Sequence, residues 1–151
     1  MRHLIAGFAL VLLAACSLAA DADAGREAVT IFHDQFDDRE FAAIYREADA
    51  ALQDTVSEAE FVDQLNAFRE RMGTVESTAE GSWNSQSTTS GRQVELSQET
   101  QFQNGTADER FIFRFEGDVP RLAGYHFNTT EFTGEEPASA PAAAPATGDK
   151  G

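Results

Sequence analysis

The hydrophobic period of this chain changes once, at Gly73, and that change limits the folds open to it. Before Gly73 the apolar residues recur every three or four positions, the spacing of an amphipathic helix. After it they alternate every second position, the spacing of a half-buried strand. Ala28, Val29, Phe32 and Phe36 share one face of a helix predicted to start near Gly25. Asp37 is the expected N-cap of a second helix, with Glu40 as its capping-box partner and Phe36 and Phe41 as the flanking staple. That helix carries Ile44, Tyr45 and Ala48. The device repeats with Ser57 and Glu60, flanked by Val56 and Phe61. It opens a third helix through Leu65, Phe68 and Met72, which Gly73 is placed to end in the left-handed conformation.

In the second half Val94, Leu96 and Phe102 share one parity, while Phe111, Phe113 and Phe115 alternate with Ile112, Arg114 and Glu116. Turn signals at Ser90-Gly91, Asn104-Gly105 and Gly117-Asp118 divide the region into strands at roughly 74–87, 92–103, 107–116 and 119–128. Asn104-Gly105 is the strongest of these signals, because both residues tolerate the positive φ of a type I′ hairpin. Short links imply an antiparallel meander. The fold class is therefore α+β, N-terminal helices packed on a curved four-stranded antiparallel meander. The expected core sets Phe111, Phe113 and Phe115 against Phe61, Leu65 and Phe68. All phenylalanines but Phe8 lie within residues 25–132, so an aromatic core is within reach of a short chain.

The two ends read differently. Met1-Arg2-His3 is a positive head and Leu4 to Leu13 an apolar run too short to span a bilayer, the layout of a signal peptide. The run ends in Leu13-Ala14-Ala15-Cys16, which resembles the lipobox of bacterial lipoproteins. The resemblance implies diacylglycerol on the Cys16 thiol, cleavage before it and acylation of the new amine. Cleavage after Ala20 by the ordinary rule is the alternative. Cys16 is the single cysteine, so no intrachain disulfide is available, and lipidation gives an exported odd cysteine a use. Ser17, not aspartate, follows it; by resemblance to enterobacterial lipoproteins this favours the outer membrane. The expected organisation is 1–15 signal peptide, 16–24 lipidated cysteine and flexible tether, 25–132 folded domain and 133–151 disordered tail. That tail holds Pro137, Pro141 and Pro145 among alanines, with no large apolar groups to bury.

The formal net charge of −15 argues against nucleic acid as a partner, since phosphate binding needs clustered Lys and Arg. The expected partners are the membrane, through the lipid on Cys16, and a periplasmic protein or small ligand.

Helices followed by a curved meander resemble the cystatin-like, nuclear-transport-factor-2-like superfamily. The segment Val119-Pro120-Arg121-Leu122-Ala123-Gly124-Tyr125-His126-Phe127-Asn128 is similar to the close of a family of uncharacterised bacterial exported domains, which often end in Trp-Arg-Val-Ala-Gly-Tyr. Arg71-Met72-Gly73-Thr74-Val75 and Ile44-Tyr45 are similar to that family too. Pro120 stands where the family usually has Trp. The superfamily includes ketosteroid isomerases, dehydratases and non-catalytic binding domains, so the fold alone does not choose a function.

Its enzymes work in a cone between helices and sheet, with a buried carboxylate or histidine. The apolar parity of the strands offers that cone side chains that fill it and cannot move a proton. Polar candidates for a pocket are His33, Tyr45, Asp63, Tyr125 and His126. Trp83 lies in the first strand, and parity leaves it open between core and an exposed aromatic anchor. A His pair with a carboxylate could bind zinc or pass protons, yet nothing in the spacing of His33 and His126 forces them together. Asp34, Asp37 and Asp38 lack the layout of a calcium loop. No cofactor is implied. The favoured expectation is a non-enzymatic binding module; the alternative is a small hydrolase, isomerase or dehydratase using the cone.

Overall fold

The structure, a computed structural model, describes residues 6–134 apart from 80 and 90, with side chains from residue 19 onward. The order is α1 (Ala6–Asp37), α2 (Phe41–Glu47), α3 (Ala50–Gln53) and α4 (Glu58–Met72), then β1 (Val75–Thr78), β2 (Ser82–Thr88), β3 (Gly91–Phe102), β4 (Gly105–Glu116) and β5 (Val119–Phe132). The fold is α+β, helices first and an open antiparallel sheet second. Among the described residues no helix is long and apolar enough to cross a membrane. The expectations for the leader before Ala6 and for the tail after Gly134 lie outside the described residues.

Gly25 does not start α1. The helix runs through it and through the segment read as a flexible tether, because the alanine-rich stretch Ala19–Ala24 favours helix and has a surface to pack on. Asp21 and Ala22 are buried, and Asp21 meets Arg92 of β3 at 3.2 Å. Gly25 is instead the point of closest approach to the sheet. A Cβ there would lie 2.7 Å from Leu96 Cδ1 and 2.9 Å from Val94 Cγ1, so any larger residue would have to displace these buried methyls for α1 to cross β3 at this depth.

The expected capping box at Asp37 and Glu40 is not formed, because α1 continues through Asp37 and closes differently. The Glu40 N–H bonds the Gln35 carbonyl and the Arg39 N–H bonds the Phe36 carbonyl, the two bonds of a Schellman ending, with Arg39 at φ 60°. Glu40 precedes α2 without a side-chain cap. Asp37 accepts the Val75 N–H at 3.1 Å and so ties the start of β1 to the end of α1. The Phe36–Phe41 contact survives at 5.8 Å. At α4 the expected box is present in full: Ser57 Oγ accepts the Glu60 N–H, and the Glu60 carboxylate accepts the Ser57 N–H. Gly73 ends α4 at φ 83°, but its ψ of −161° lies outside the left-handed helical well.

The first expected strand is two, which makes five in place of four. β1 and β2 both pair with β3, opposite Thr100–Phe102 and Gly91–Ser97 respectively. They part where Gly81 lies on the Ser97 backbone; a Cβ at Gly81 would sit 1.7 Å from that carbonyl oxygen. From β3 the sheet proceeds to β4 and β5. The β3–β4 turn uses Gln103 and Asn104, one residue earlier than the Asn-Gly signal implied. Gly105 opens β4 paired with Phe102, and its freedom serves a close pass against the Glu131 carbonyl.

The core lies where α1 covers the sheet. Phe111 is met edge-on by Phe32 of α1 at 5.1 Å and stacks on Phe113. The expected partner helix for this row was α4, but Phe68 of α4 instead packs on Phe36, Phe102 and Phe127. The long, deeply seated α1 displaces α4 from the centre of the sheet.

Ser57→Ala is expected to cost about 1 kcal/mol of stability, read from the denaturation midpoint. Hydrogen bonds from the Ser57 side chain and then its backbone hold the Glu60 carboxyl below its ordinary value. That contribution is present above the unfolded-state value and is lost as pH falls through the lower folded one. An unchanged midpoint would contradict the cap.

Candidate functional site

Continuing the alternation of β4 back from Phe111 reaches Glu109, and the same step back from Phe102 on β3 reaches Thr100. Both therefore point toward α1 with the core. Glu109 is 2% exposed and Thr100 is fully buried. A carboxylate at such a depth is costly unless hydrogen bonds replace its water. Three donors do so. His33 Nε2 lies 2.8 Å from Glu109 Oε2, Thr100 Oγ1 donates to the same oxygen at 2.5 Å, and the Tyr125 hydroxyl donates to Oε1 at 2.5 Å. Gln98 Nε2 donates to Thr100 Oγ1 at 3.1 Å and extends the chain of bonds toward the edge of the sheet.

Each donor is placed by its own element. His33 sits four residues after Val29 on the buried face of α1 and is 7% exposed. Tyr125 stands opposite Phe111 in the β4–β5 register, its ring 5.0 Å from Phe111 and 4.7 Å from Phe32. Burial, then the Glu109 charge, then the hydrogen bond to it push the Tyr125 phenol well above its ordinary range. Because Nε2 of His33 faces a carboxylate, that nitrogen carries the proton in this arrangement. The other ring nitrogen, Nδ1, bonds no described group.

A cleft of about 270 Å³ opens between α1 and the gap separating β1 from β2. His33 lines its inner wall, and Trp83 of β2, 43% exposed, lines its rim. The arrangement is a carboxylate behind an imidazole, with the imidazole facing a space a small molecule can enter. With the proton on Nε2, Nδ1 presents a lone pair, so such a pair can accept a hydrogen bond from a bound group or take a proton from it.

Of the residues marked from the sequence, the structure joins His33 and Tyr125 through Glu109 and sets Trp83 beside them. Tyr45 is elsewhere: its hydroxyl bonds the Val56 carbonyl at 2.9 Å and ties α2 to the start of α4. Asp63 is exposed on α4. His126 is exposed on the opposite face of β5, so the two histidines do not meet. The side chain of Cys16 lies outside the described residues. Among the described residues no three His, Cys, Asp or Glu side chains gather into a metal-binding group. Glu109 and Thr100 were missed in the sequence, although the strand parity that marked the phenylalanines runs directly through them.

The chain belongs to the family described as "Protein of unknown function (DUF4019)", whose profile matches residues 28–125, more than half of the sequence. The match reaches from α1 into β5 and contains His33, Trp83, Thr100, Glu109 and Tyr125. A comparison with curated proteins gives no match.

In a Tyr45→Phe chain Tyr125 is the sole tyrosine, and its phenolate absorbance is expected to appear well above the usual value of about 10. A raised folded pKa contributes stability that is full below the unfolded value and lost as pH rises through the folded one. Phenolate formation should therefore accompany alkaline unfolding. Glu109→Gln removes the charge and should move the titration down. A Tyr125 that ionises in the ordinary range with the fold intact would contradict the network.

Proposed function

We propose that the chain is an envelope lipoprotein, anchored through Cys16 to the outer membrane and facing the periplasm. Its cystatin-like, nuclear-transport-factor-2-like domain acts there as a binding module for a protein or small ligand. The single observation that carries the binding reading is the filling of the sheet face by aromatic rings. Phe32, Phe36, Phe102, Phe111 and Phe113 are all buried where an enzyme of that superfamily would keep its reaction chamber. Among the described residues, a cleft of about 310 Å³ runs along Phe32 and Phe113 at the edge of this core and another of about 270 Å³ along His33.

The lipoprotein part rests on the lipobox resemblance and the solitary cysteine. The course of α1 adds a consequence. Only four residues separate Cys16 from Asp21, the first buried side chain among the described ones, so a helical rise of about 1.5 Å per residue would hold the domain within one or two turns of its anchor. The edge carrying Asp21, Arg92 and Asp118 would then face the lipid headgroups. A second reading, an acid–base enzyme, is favoured by one observation, the His33–Glu109 pair at the wall of the cleft.

Mass spectrometry of the protein purified from membranes is expected to find diacylglycerol and an acyl chain on an N-terminal Cys16. Cys16→Ser should release the chain from the membrane fraction, since a single acyl signal or none anchors only marginally. An unmodified Cys16, or an N-terminus after Ala20, would overturn the anchor.

A further inference from the structure

We propose that the free edge of β5 takes up an extended, cationic segment of a partner protein as a further strand of the sheet. The inference rests on the binding-module reading and names its surface and the chemistry of its partner. β5 ends the order β1-β3-β4-β5 and pairs on one side only. At Leu122 the outer edge is covered, because that carbonyl accepts the Asp49 N–H at the start of α3 at 2.9 Å. From there to Phe132 no described backbone group outside the sheet bonds it. Proteins guard such edges with charges, prolines and bulges. β5 has these devices at its two ends: Pro120, Arg121 and a register shift beside Leu122 at one, a second shift and Glu131 at the other. Residues 124–129 between them keep an unbroken register with β4 and include no Asp, Glu, Lys or Arg, in a chain of net charge −15.

A cleft of about 580 Å³ runs beside this stretch. Its wall includes the consecutive residues 123–127 of β5, which belong to both faces of the strand, so the cleft follows the edge and not one face. Across it stand Leu52, Val56, Phe61 and Leu65, from α3, α4 and the link between them. A strand laid along β5 would send every second side chain toward these apolar groups and the others toward solvent beside His126 and Asn128. The volume lies within the range of about 300–1,000 Å³ common for ligand pockets, so bulky apolar side chains can enter. Phe127, 37% exposed although it stacks on Phe68, is in the same wall, and an added strand would cover it.

Charge selects the occupant. The lining of the cleft includes Glu60 and neither Lys nor Arg. Asp63 stands a turn along α4 from Glu60, and Glu131 closes the stretch on β5; all three are exposed. Among the described residues none of them is in an ion pair. The Glu60 carboxylate bonds the Ser57 N–H and hydroxyl, neutral donors that leave its charge uncancelled. A second copy of the chain would bring the same acids to meet these. The segment after Gly134 carries Pro137, Pro141 and Pro145, which have no N–H to give a ladder, and more acids than bases. A partner segment with Lys or Arg flanking alternate apolar residues meets attraction instead.

The test titrates the purified full chain into a dye-labelled peptide, Lys-Thr-Leu-Thr-Leu-Thr-Lys, and follows its anisotropy. One control peptide has Glu in place of Lys; another has N-methyl groups on its central amides, which block a strand ladder. The lysine peptide should bind saturably and protect amides of β5 within residues 123–130 from hydrogen exchange. The glutamate peptide should bind about tenfold more weakly, and the N-methylated peptide should not bind. Asp63→Lys combined with Glu131→Lys, both at exposed positions, should weaken the lysine peptide several-fold at unchanged melting temperature. No saturable binding, equal binding of the three peptides, unaltered binding by the double variant, or protection that falls outside β5 would overturn the proposal. So would a dimer whose β5 protection is lost on dilution, which makes a second copy the occupant. Protection of β5 in the free chain that disappears when residues 135–151 are removed would overturn it in favour of that segment. In any of those outcomes, a partner crosslinked in intact cells through another face, such as Trp83 on β2, would leave the binding-module reading standing.

Discussion

Glu109 is a buried carboxylate, and the position of α1 depends on how that charge is compensated. Its two oxygens take donors from α1, from β3 and from β5, three elements far apart in sequence. Removing any one donor would leave a lone pair facing Phe32 and Phe111 in a medium that solvates it poorly. Apolar packing would tolerate some sliding of α1 along the sheet; a hydrogen-bonded imidazole does not. The close pass of Gly25 over Val94 and Leu96 sets the height of the helix, and the His33–Glu109 bond sets its rotation and register.

The same geometry accounts for the cleft. With α1 fixed near the sheet, the side chains on its flank look toward β1 and β2, and a recess among the described residues lies between them. A continuous edge strand would have a side chain where Gly81 lies against Ser97. The filled aromatic face and the open margin thus follow from one placement: rings occupy the centre, and the polar end of the core, His33, reaches the border.

Much of this was legible in the sequence, for identifiable reasons. The α4 start was readable because Ser57 and Glu60 satisfy each other locally, with no help from the rest of the chain. The parity of Val94, Leu96, Phe111 and Phe113 was readable because a half-buried strand has to alternate. The Asp37 cap failed because a Schellman ending at Arg39 competed for the same residues, and that ending used a non-glycine residue at positive φ. The split of β1 from β2 depends on a contact between Gly81 and Ser97, which no local pattern announces. His33 was marked as a candidate, but its partner was not. A glutamate at an inward-facing position reads as an exception to the hydrophobic pattern, and its reason exists only once α1, β3 and β5 are brought together.

The claim that the His33–Glu109 bond locks α1 to the sheet is tested most directly by a double-mutant cycle on folding stability. The cycle compares the parent with His33→Leu, Glu109→Leu and the double variant. Each single change strands a buried polar partner, whereas the double change removes both, so the double variant should be more stable than the sum of the singles implies. The expected coupling is about 1–3 kcal/mol, the range for residues sharing one buried network. Single effects that add to within about 0.5 kcal/mol would show that the two side chains act independently. The position of α1 would then rest on the aromatic packing alone.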